Sequence, residues 1–246
     1  MTTLFISDLH LSIERPAIID LFEQFLSGRA SSADALYILG DLFEYWVGDD
    51  AMDHPEFARI VEAMSRFGRG RVPLTVMRGN RDFLLGEGFA RRTGARVLSG
   101  PLKIELNGTD AVVTHGDCLC TRDVEHQKWR AQVLQPAWQE KLLAMPIETR
   151  LAVAKDMRRQ SETAKGSKPM EVMDVTDTAV HDMMRTLRVG LMIHGHTHRP
   201  GEHDFLVDGL PARRIVLGDW YEQGSVLECG EAGCALEEIA VGGERT

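Results

Sequence analysis

The chain reads as an α/β protein: two packed, mixed β-sheets flanked by helices, with a helical insert set into its second half. Three observations predict this. Short apolar runs alternate with amphipathic stretches over residues 3–98, which implies βαβ units and a largely parallel sheet. Residues 101–115 and 189–241 carry strands punctuated by Gly and Pro, with little room for helix. Residues 121–183 break the strand rhythm with apolar side chains at helical spacing. Two sheets packed together fit this order better than a single doubly wound sheet.

Each element has a local reason. Leu4-Phe5-Ile6, Leu36-Tyr37-Ile38-Leu39 and Leu74-Thr75-Val76-Met77 are short apolar runs ending in Gly- or Asp-bearing turns, as buried strands do. Residues 16–26 and 55–67 are amphipathic and open with a proline near the first turn, where its missing N–H is tolerated, so both are expected crossover helices. Asn107-Gly108 sits between Lys103-Ile104-Glu105-Leu106 and Asp110-Ala111-Val112-Val113 and is expected to be a hairpin turn, although Asn107-Gly108-Thr109 also matches a glycosylation acceptor. In the insert, Trp129, Val133, Leu134, Trp138, Leu142 and Leu143 fall at helical spacings. Leu151, Ala154 and Met157 continue after a turn near Pro146. The expected organisation is a core of residues 1–120 and 184–246, interrupted by a helical cap over 121–183.

Composition narrows the class. The chain has 246 residues, 43% hydrophobic and 26% charged, as a globular protein with a full core requires. Its net charge of −9 argues against a general nucleic-acid binder. The first strand begins almost at Met1, so no signal peptide is expected, and no apolar run approaches the roughly 20 residues that span a bilayer. Cys118, Cys120, Cys229 and Cys234 show neither zinc-ligand spacing nor a disulfide framework, so reduced thiols are expected. Charge is uneven: residues 121–170 hold ten Lys or Arg against six Asp or Glu, which points to an anionic partner over the insert.

Chemistry concentrates at strand ends. His194-Gly195-His196-Thr197-His198 follows the apolar run ending at Ile193, and i, i+2 spacing on extended backbone puts His196 and His198 on one side. Asp8-Leu9-His10, Gly40-Asp41, Gly79-Asn80-Arg81-Asp82 and His115-Gly116-Asp117 each follow an apolar run in the same way. Ligands of open α/β sheets bind outside the carboxyl ends of the strands, so five such turns should converge on one site. Asp, Asn and His together are the oxygen and imidazole donors of a first-row metal site.

Asp-x-His, Gly-Asp, Gly-Asn-x-Asp, His-Gly-Asp and Gly-His-x-His, in this order, resemble the calcineurin-like metallophosphoesterase superfamily, and they span nearly the whole chain outside the insert. Within it, Leu39-Gly40-Asp41-Leu42-Phe43-Glu44, Gly79-Asn80-Arg81-Asp82-Phe83-Leu84-Leu85-Gly86 and His194-Gly195-His196-Thr197-His198-Arg199-Pro200 are similar to the UDP-2,3-diacylglucosamine pyrophosphatases of lipid A synthesis, as are the first strand and Met173-Asp174-Val175. The resemblance implies two divalent ions. Asp8, His10 and His198 would hold one, Asn80, His115 and His196 the other, and Asp41 would bridge both. Oxygen and imidazole donors without thiolate suit Mn²⁺, with Fe²⁺ or Zn²⁺ less suited. Asp82 and Asp117 would orient ligands from behind, Asp117 competing with a plain turn-capping role.

Arg81 discriminates among reactions. Histidine is common at this position in the superfamily, where it can protonate a departing alkoxide. Arginine cannot usefully donate a proton, but its planar fork can neutralise phosphate oxygens. That suits a leaving group needing no proton, as in pyrophosphate cleavage. The expected reaction is hydrolysis of UDP-2,3-diacylglucosamine at the α-phosphorus, giving UMP and 2,3-diacylglucosamine 1-phosphate. Asn80, Arg81, Asp123, Ser161, Lys165, Lys168 and His196 would contact substrate; Lys165 departs from the asparagine expected there. The catalytic group would be Asp41, Asn80, Arg81, His115 and His196. The insert would cover the acyl chains and sit peripherally on the cytoplasmic face of the inner membrane. A phosphatase or phosphodiesterase of soluble nucleotides or phosphoproteins is the alternative, favoured by histidine in place of Arg81. A non-catalytic interaction module would be expected to have lost ligands, and all seven are present.

Overall fold

The computed structural model describes residues 1–165 and 169–242. β1 (Thr3–Ile6), β2 (Ala35–Leu39), β3 (Leu74–Met77) and β4 (Arg96–Leu98) lie parallel in one sheet. The chain then crosses to a second sheet made of β5 (Leu102–Leu106), β6 (Thr109–Thr114), β7 (Leu191–His194), β8 (Gly201–Val207) and β9 (Leu210–Val216). It returns to the first with β10 (Gly224–Gly230), antiparallel to β1, and β11 (Gly233–Ile239). The orders are β11-β10-β1-β2-β3-β4 and β5-β6-β7-β9-β8. In the second sheet β6, β7 and β9 are parallel, with antiparallel edges. This is the expected pair of mixed sheets.

Strand alternation builds three apolar layers. Phe5, Leu39, Met77, Val113, Ile193 and Leu227 point between the sheets. Leu4, Ile6, Leu36 and Ile38, from the opposite face of the same strands, meet α1 (Pro16–Ser27), α2 (Ala58–Gly68) and α3 (Glu87–Thr93) through Phe22, Met64 and Phe89. The second sheet's outer face puts Val112 and Met192 against a further helix (Asp177–Leu187) through Val180 and Met184. Between lie α4 (Val124–Val133), α5 (Pro136–Leu143) and α6 (Ile147–Lys165), so that outer helix is α7. It begins inside the stretch read as cap, yet its buried face makes it a layer of the core; the helices that overhang end before it.

Other local differences have local causes. α2 starts three residues after Pro55, because the Glu56 amide bonds the His54 ring and Ala58 donates to the His54 carbonyl, closing a turn first. Asn107 and Gly108 both have positive φ (48° and 85°), as a two-residue hairpin turn demands. The expectation of four reduced thiols fails at one pair: Cys229 and Cys234 face each other across β10 and β11 and are disulfide-bonded. Hairpin register put them together, which spacing alone did not reveal.

Phe22 is fully buried and meets the Trp220 ring edge-on at 6.3 Å. Phe22→Ala should lower stability by about 3–5 kcal/mol. In urea unfolding this appears as a lower midpoint with an unchanged slope.

Candidate metal centre

The five expected turns converge where β1, β2, β3, β6 and β7 end. To aim their side chains inward, non-glycine residues adopt left-handed backbone: Asp8 (φ 55°), His10 (48°), Asp41 (51°), His196 (70°) and His198 (54°). Such conformations are uncommon outside glycine and persist only where the surroundings enforce them. The neighbouring glycines leave the space required. A side chain at Gly79 would collide with the Asp41 carboxylate, and one at Gly195 with Asp8.

Asp41 sits at the middle. Its Oδ2 lies 3.8 Å from His10 Nε2 and its Oδ1 3.6 Å from His115 Nε2. On one side, His198 Nε2 is 3.3 Å from His10 Nε2 and 3.4 Å from Asp8 Oδ1. On the other, His115 Nε2 faces Asn80 Oδ1 at 3.0 Å, and the His196 ring lies 5.0 Å from that of His115. The structure therefore brings together all seven residues named from the sequence.

The cluster fits cations. His115 Nδ1 lies 2.9 Å from the Leu39 carbonyl oxygen and turns Nε2 to the cluster, 3.0 Å from Asn80 Oδ1; burial lowers its pKa, but Asp41 and Asp8 outweigh it and raise the ring above its ordinary value. Asp8 Oδ1 and His10 Nδ1 are buried without a hydrogen-bond partner among the described residues. Burial would push Asp8 up, but His198, His115 and His10 hold its carboxyl below the usual range. Burial raises Asp41 instead, against the pull of His115. His198 rises to about 9 despite burial, because Asp8 and Asp219 favour its charged form. Burial holds His10 and His196 well below the ordinary value. Crowded acceptors that draw positive charge, with oxygen and imidazole donors, suit divalent metal ions.

The remaining residues divide by contact. Asp82 is fully buried: Oδ1 accepts from the Gly79 amide (2.7 Å) and Oδ2 from the Leu42 amide (2.8 Å), strapping the Asp41 and Asn80 turns together. Burial beside Asp41 pushes its pKa to about 7. Asp117 instead binds Arg130 of α4 at 2.5 Å. His194 is no ligand in this geometry: its ring bonds the Gly195 carbonyl at 2.8 Å and takes a bond from Arg214 at 3.1 Å, while burial lowers it to about 4.

A cavity of about 590 Å³ opens from the cluster beneath α4, α5 and α6. Arg81, Asp123, Ser161 and His196 line it, with Trp46, Phe83, Trp129, Trp138 and Met157. Asp123 also caps α4, accepting from the His126 amide at 3.1 Å. The side chain of Lys165 and the whole of Lys168 lie outside the described residues. Sequence reading missed Asp219, whose Oδ2 is 3.3 Å from His198 Nδ1, and Tyr221, stacked on His10 at 5.2 Å. It also missed His126, 5.2 Å from His196. Ile215-Val216-Leu217-Gly218-Asp219 is a sixth apolar run ending in a Gly-Asp turn, so Asp219 did leave a signal; His126 left none.

Residues 1–200 match the Calcineurin-like phosphoesterase family. Similar proteins include the UDP-2,3-diacylglucosamine hydrolases of Aeromonas hydrophila (49% identical over 242 residues, covering 98% of this chain and 100% of that one). That of Stenotrophomonas maltophilia is 48% identical over 248 residues (98% and 99%), and that of Cellvibrio japonicus 45% over 236 (96% and 98%). The chain belongs to the calcineurin-like phosphoesterase family.

Asp82→Ala should strand the Gly79 and Leu42 amides and cost about 1–3 kcal/mol. The loosened turns should also lower activity in folded protein. An unchanged urea midpoint would show that the strap is dispensable.

Proposed function

We propose that this member of the calcineurin-like phosphoesterase family hydrolyses the pyrophosphate bond of UDP-2,3-diacylglucosamine, water attacking the α-phosphorus to give UMP and 2,3-diacylglucosamine 1-phosphate. One observation carries the reading beyond the relatives: a ligand cluster that opens directly into a cavity of about 590 Å³ whose lining combines Arg81 and Ser161 with Trp46, Phe83, Trp129, Trp138, Leu142 and Met157. Asp8, His10 and His198 would hold one divalent ion and Asn80, His115 and His196 another, with Asp41 between the two positions; such ions, which we assign as Mn²⁺, would supply Lewis acidity and a more acidic bound water.

The protein's own groups orient the substrate. Arg81 lines the cavity, and its guanidinium has no carboxylate partner among the described residues, leaving its fork open to phosphate. Its backbone amide donates to Asp41 Oδ1 at 2.8 Å, so the side chain is registered to the cluster. Arg81 neutralises charge on the departing phosphate, which requires no proton. Asn80 and His196 face both cluster and cavity, and Asp123 and Ser161 suit the sugar hydroxyls. Lys165 and Lys168 complete the head-group contacts in this reading.

The insert, residues 121–183 with α4 to α6 as its overhanging part, is the acyl-chain cap. Trp129 and Trp138 pack on Phe83 (5.9 Å each) to form a wall. Each buried CH₂ of acyl chain contributes on the order of 0.8 kcal/mol, so chain burial holds the head group at the metals. No helix among the described residues is long and apolar enough to cross a membrane. Exposed Leu134 and Leu143, on the cap beside its basic residues, suit peripheral, salt-sensitive contact with the cytoplasmic face of the inner membrane.

The test is a product assay on two substrates. UDP-2,3-diacylglucosamine should release UMP and no free phosphate, and UDP-glucosamine lacking both chains should lose several orders of magnitude in kcat/KM. Comparable rates on both would make this a soluble-nucleotide hydrolase. Arg81→Ala should cut kcat/KM strongly and Arg81→Lys restore only part, with no basic limb of the pH–rate profile vanishing in either variant. Loss of such a limb would mean that the leaving group is protonated.

A further inference from the structure

Asp8, His10 and His198 come from two distant turns, and a third turn, between β9 and β10, touches all three. The Trp220 amide donates to the Asp8 carbonyl at 3.0 Å. Asp219 Oδ2 lies 3.3 Å from His198 Nδ1, on the far side of the ring from the Nε2 that faces the cluster. The Tyr221 ring stacks on His10, 5.2 Å between centroids and 13° from parallel. Three consecutive residues thus each meet one member of the same three-residue group.

The turn is built to be rigid. Trp220 is fully buried, its Nε1–H donating to the Ser225 carbonyl at 2.9 Å, with Phe22 and Phe25 edge-on to its ring. The other oxygen of Asp219 accepts from the Tyr221 amide at 3.2 Å, which fixes the carboxylate relative to its own turn. The Arg15 guanidinium lies 4.7 Å from the centre of the Tyr221 ring, and another of its nitrogens bonds the His10 carbonyl. A cation over the ring holds Tyr221 while the same side chain holds the backbone of the histidine it covers.

The two imidazoles need different supports. His198 has a carboxylate at Nδ1, the arrangement that fixes tautomer and ring plane in metal-binding histidines. His10 does not: the nearest carboxylate to its Nδ1, Glu44, is 3.7 Å away, beyond hydrogen-bond distance. Stacking replaces it.

We propose that Asp219, Trp220 and Tyr221 form a positioning turn for one metal position, Asp219 orienting His198 and the Tyr221 ring fixing the plane of His10, and that the turn sets the affinity of that position without touching substrate. This rests on the two-ion reading above. Tyr221 acts through its ring, and its hydroxyl is dispensable.

The test is equilibrium dialysis of full-length protein against graded free Mn²⁺, with metal analysis and steady-state kinetics. Wild type should bind two ions. Asp219→Asn, close in shape, should bind one of them roughly 10–100-fold more weakly and leave the other unchanged. Tyr221→Ala should weaken the same ion, and Tyr221→Phe should match wild type. The lost kcat should return with added Mn²⁺ at an unchanged KM. If Asp219→Asn and Tyr221→Ala hold both ions as wild type does, the turn has no positioning role. A raised KM at full occupancy would make it a substrate contact, and a Phe variant as weak as the Ala variant would put the effect in the hydroxyl; either overturns the proposal. Wild type binding fewer than two ions would sink the metal reading itself, whereas variants matching a two-ion wild type would sink only the turn.

Discussion

The site depends on crowding acceptors into one buried volume. Two carboxylates, an amide oxygen and four imidazoles converge at the buried end of the cavity, and each prefers to face a cation or a donor rather than another acceptor. Here the work falls to strand-end turns with left-handed residues, each costing of order 1–3 kcal/mol. The surroundings must over-determine them. Asp82 does so for two turns at once, and the Asp8 carboxylate does so for a third by accepting from the His196 amide at 2.8 Å. The paired sheets are what this crowding requires. Parallel strands from both end at the same edge, so turns distant in sequence meet on a rigid base.

How legible this was depended on where the signal lay. The five turns could be found because each follows an apolar run, and strand-end placement implies convergence; Asp8, His10, Asp41, Asn80, His115, His196 and His198 were then named within them by the family resemblance. Asp219 follows the same rule, after Ile215-Val216-Leu217-Gly218, and its signal was as strong as that of Asp8. Tyr221, Arg15 and Glu44 gave no comparable signal, since their roles arise from tertiary approach between segments far apart. The Cys229–Cys234 bond was hidden for the same reason: it depends on hairpin register, which the exposed polar residues of β11 specify weakly. α7 begins inside the stretch read as cap, but its amphipathic face, carrying Val180 and Met184, packs on the second sheet, whereas α4 and α5 bury little.

The basic excess of the insert, read from sequence as a sign of an anionic partner, has a closer explanation in part. Arg130 binds Asp117, Arg150 binds Asp50 (2.8 Å from Nη1 to Oδ1) and Arg158 pairs with Glu44. Each is a cap arginine on a core carboxylate. Part of the charge asymmetry between insert and core is therefore how the cap is fastened, by pairs partly withdrawn from solvent and so less screened by salt than surface pairs. Glu44 is also 3.7 Å from His10 and Arg15, so one of the fastenings ends beside the candidate ligand cluster. Of the arginines lining the cavity, Arg150, Arg158 and Arg199 all have carboxylate partners, Arg199 through Asp174 at 2.7 Å. Arg81 alone among the described ones has none. A phosphate entering the cavity thus meets one uncommitted fork, on the turn that also carries Asn80. In the proposed reading that fork would meet the phosphate, while the cap would add apolar surface and its own head-group contacts.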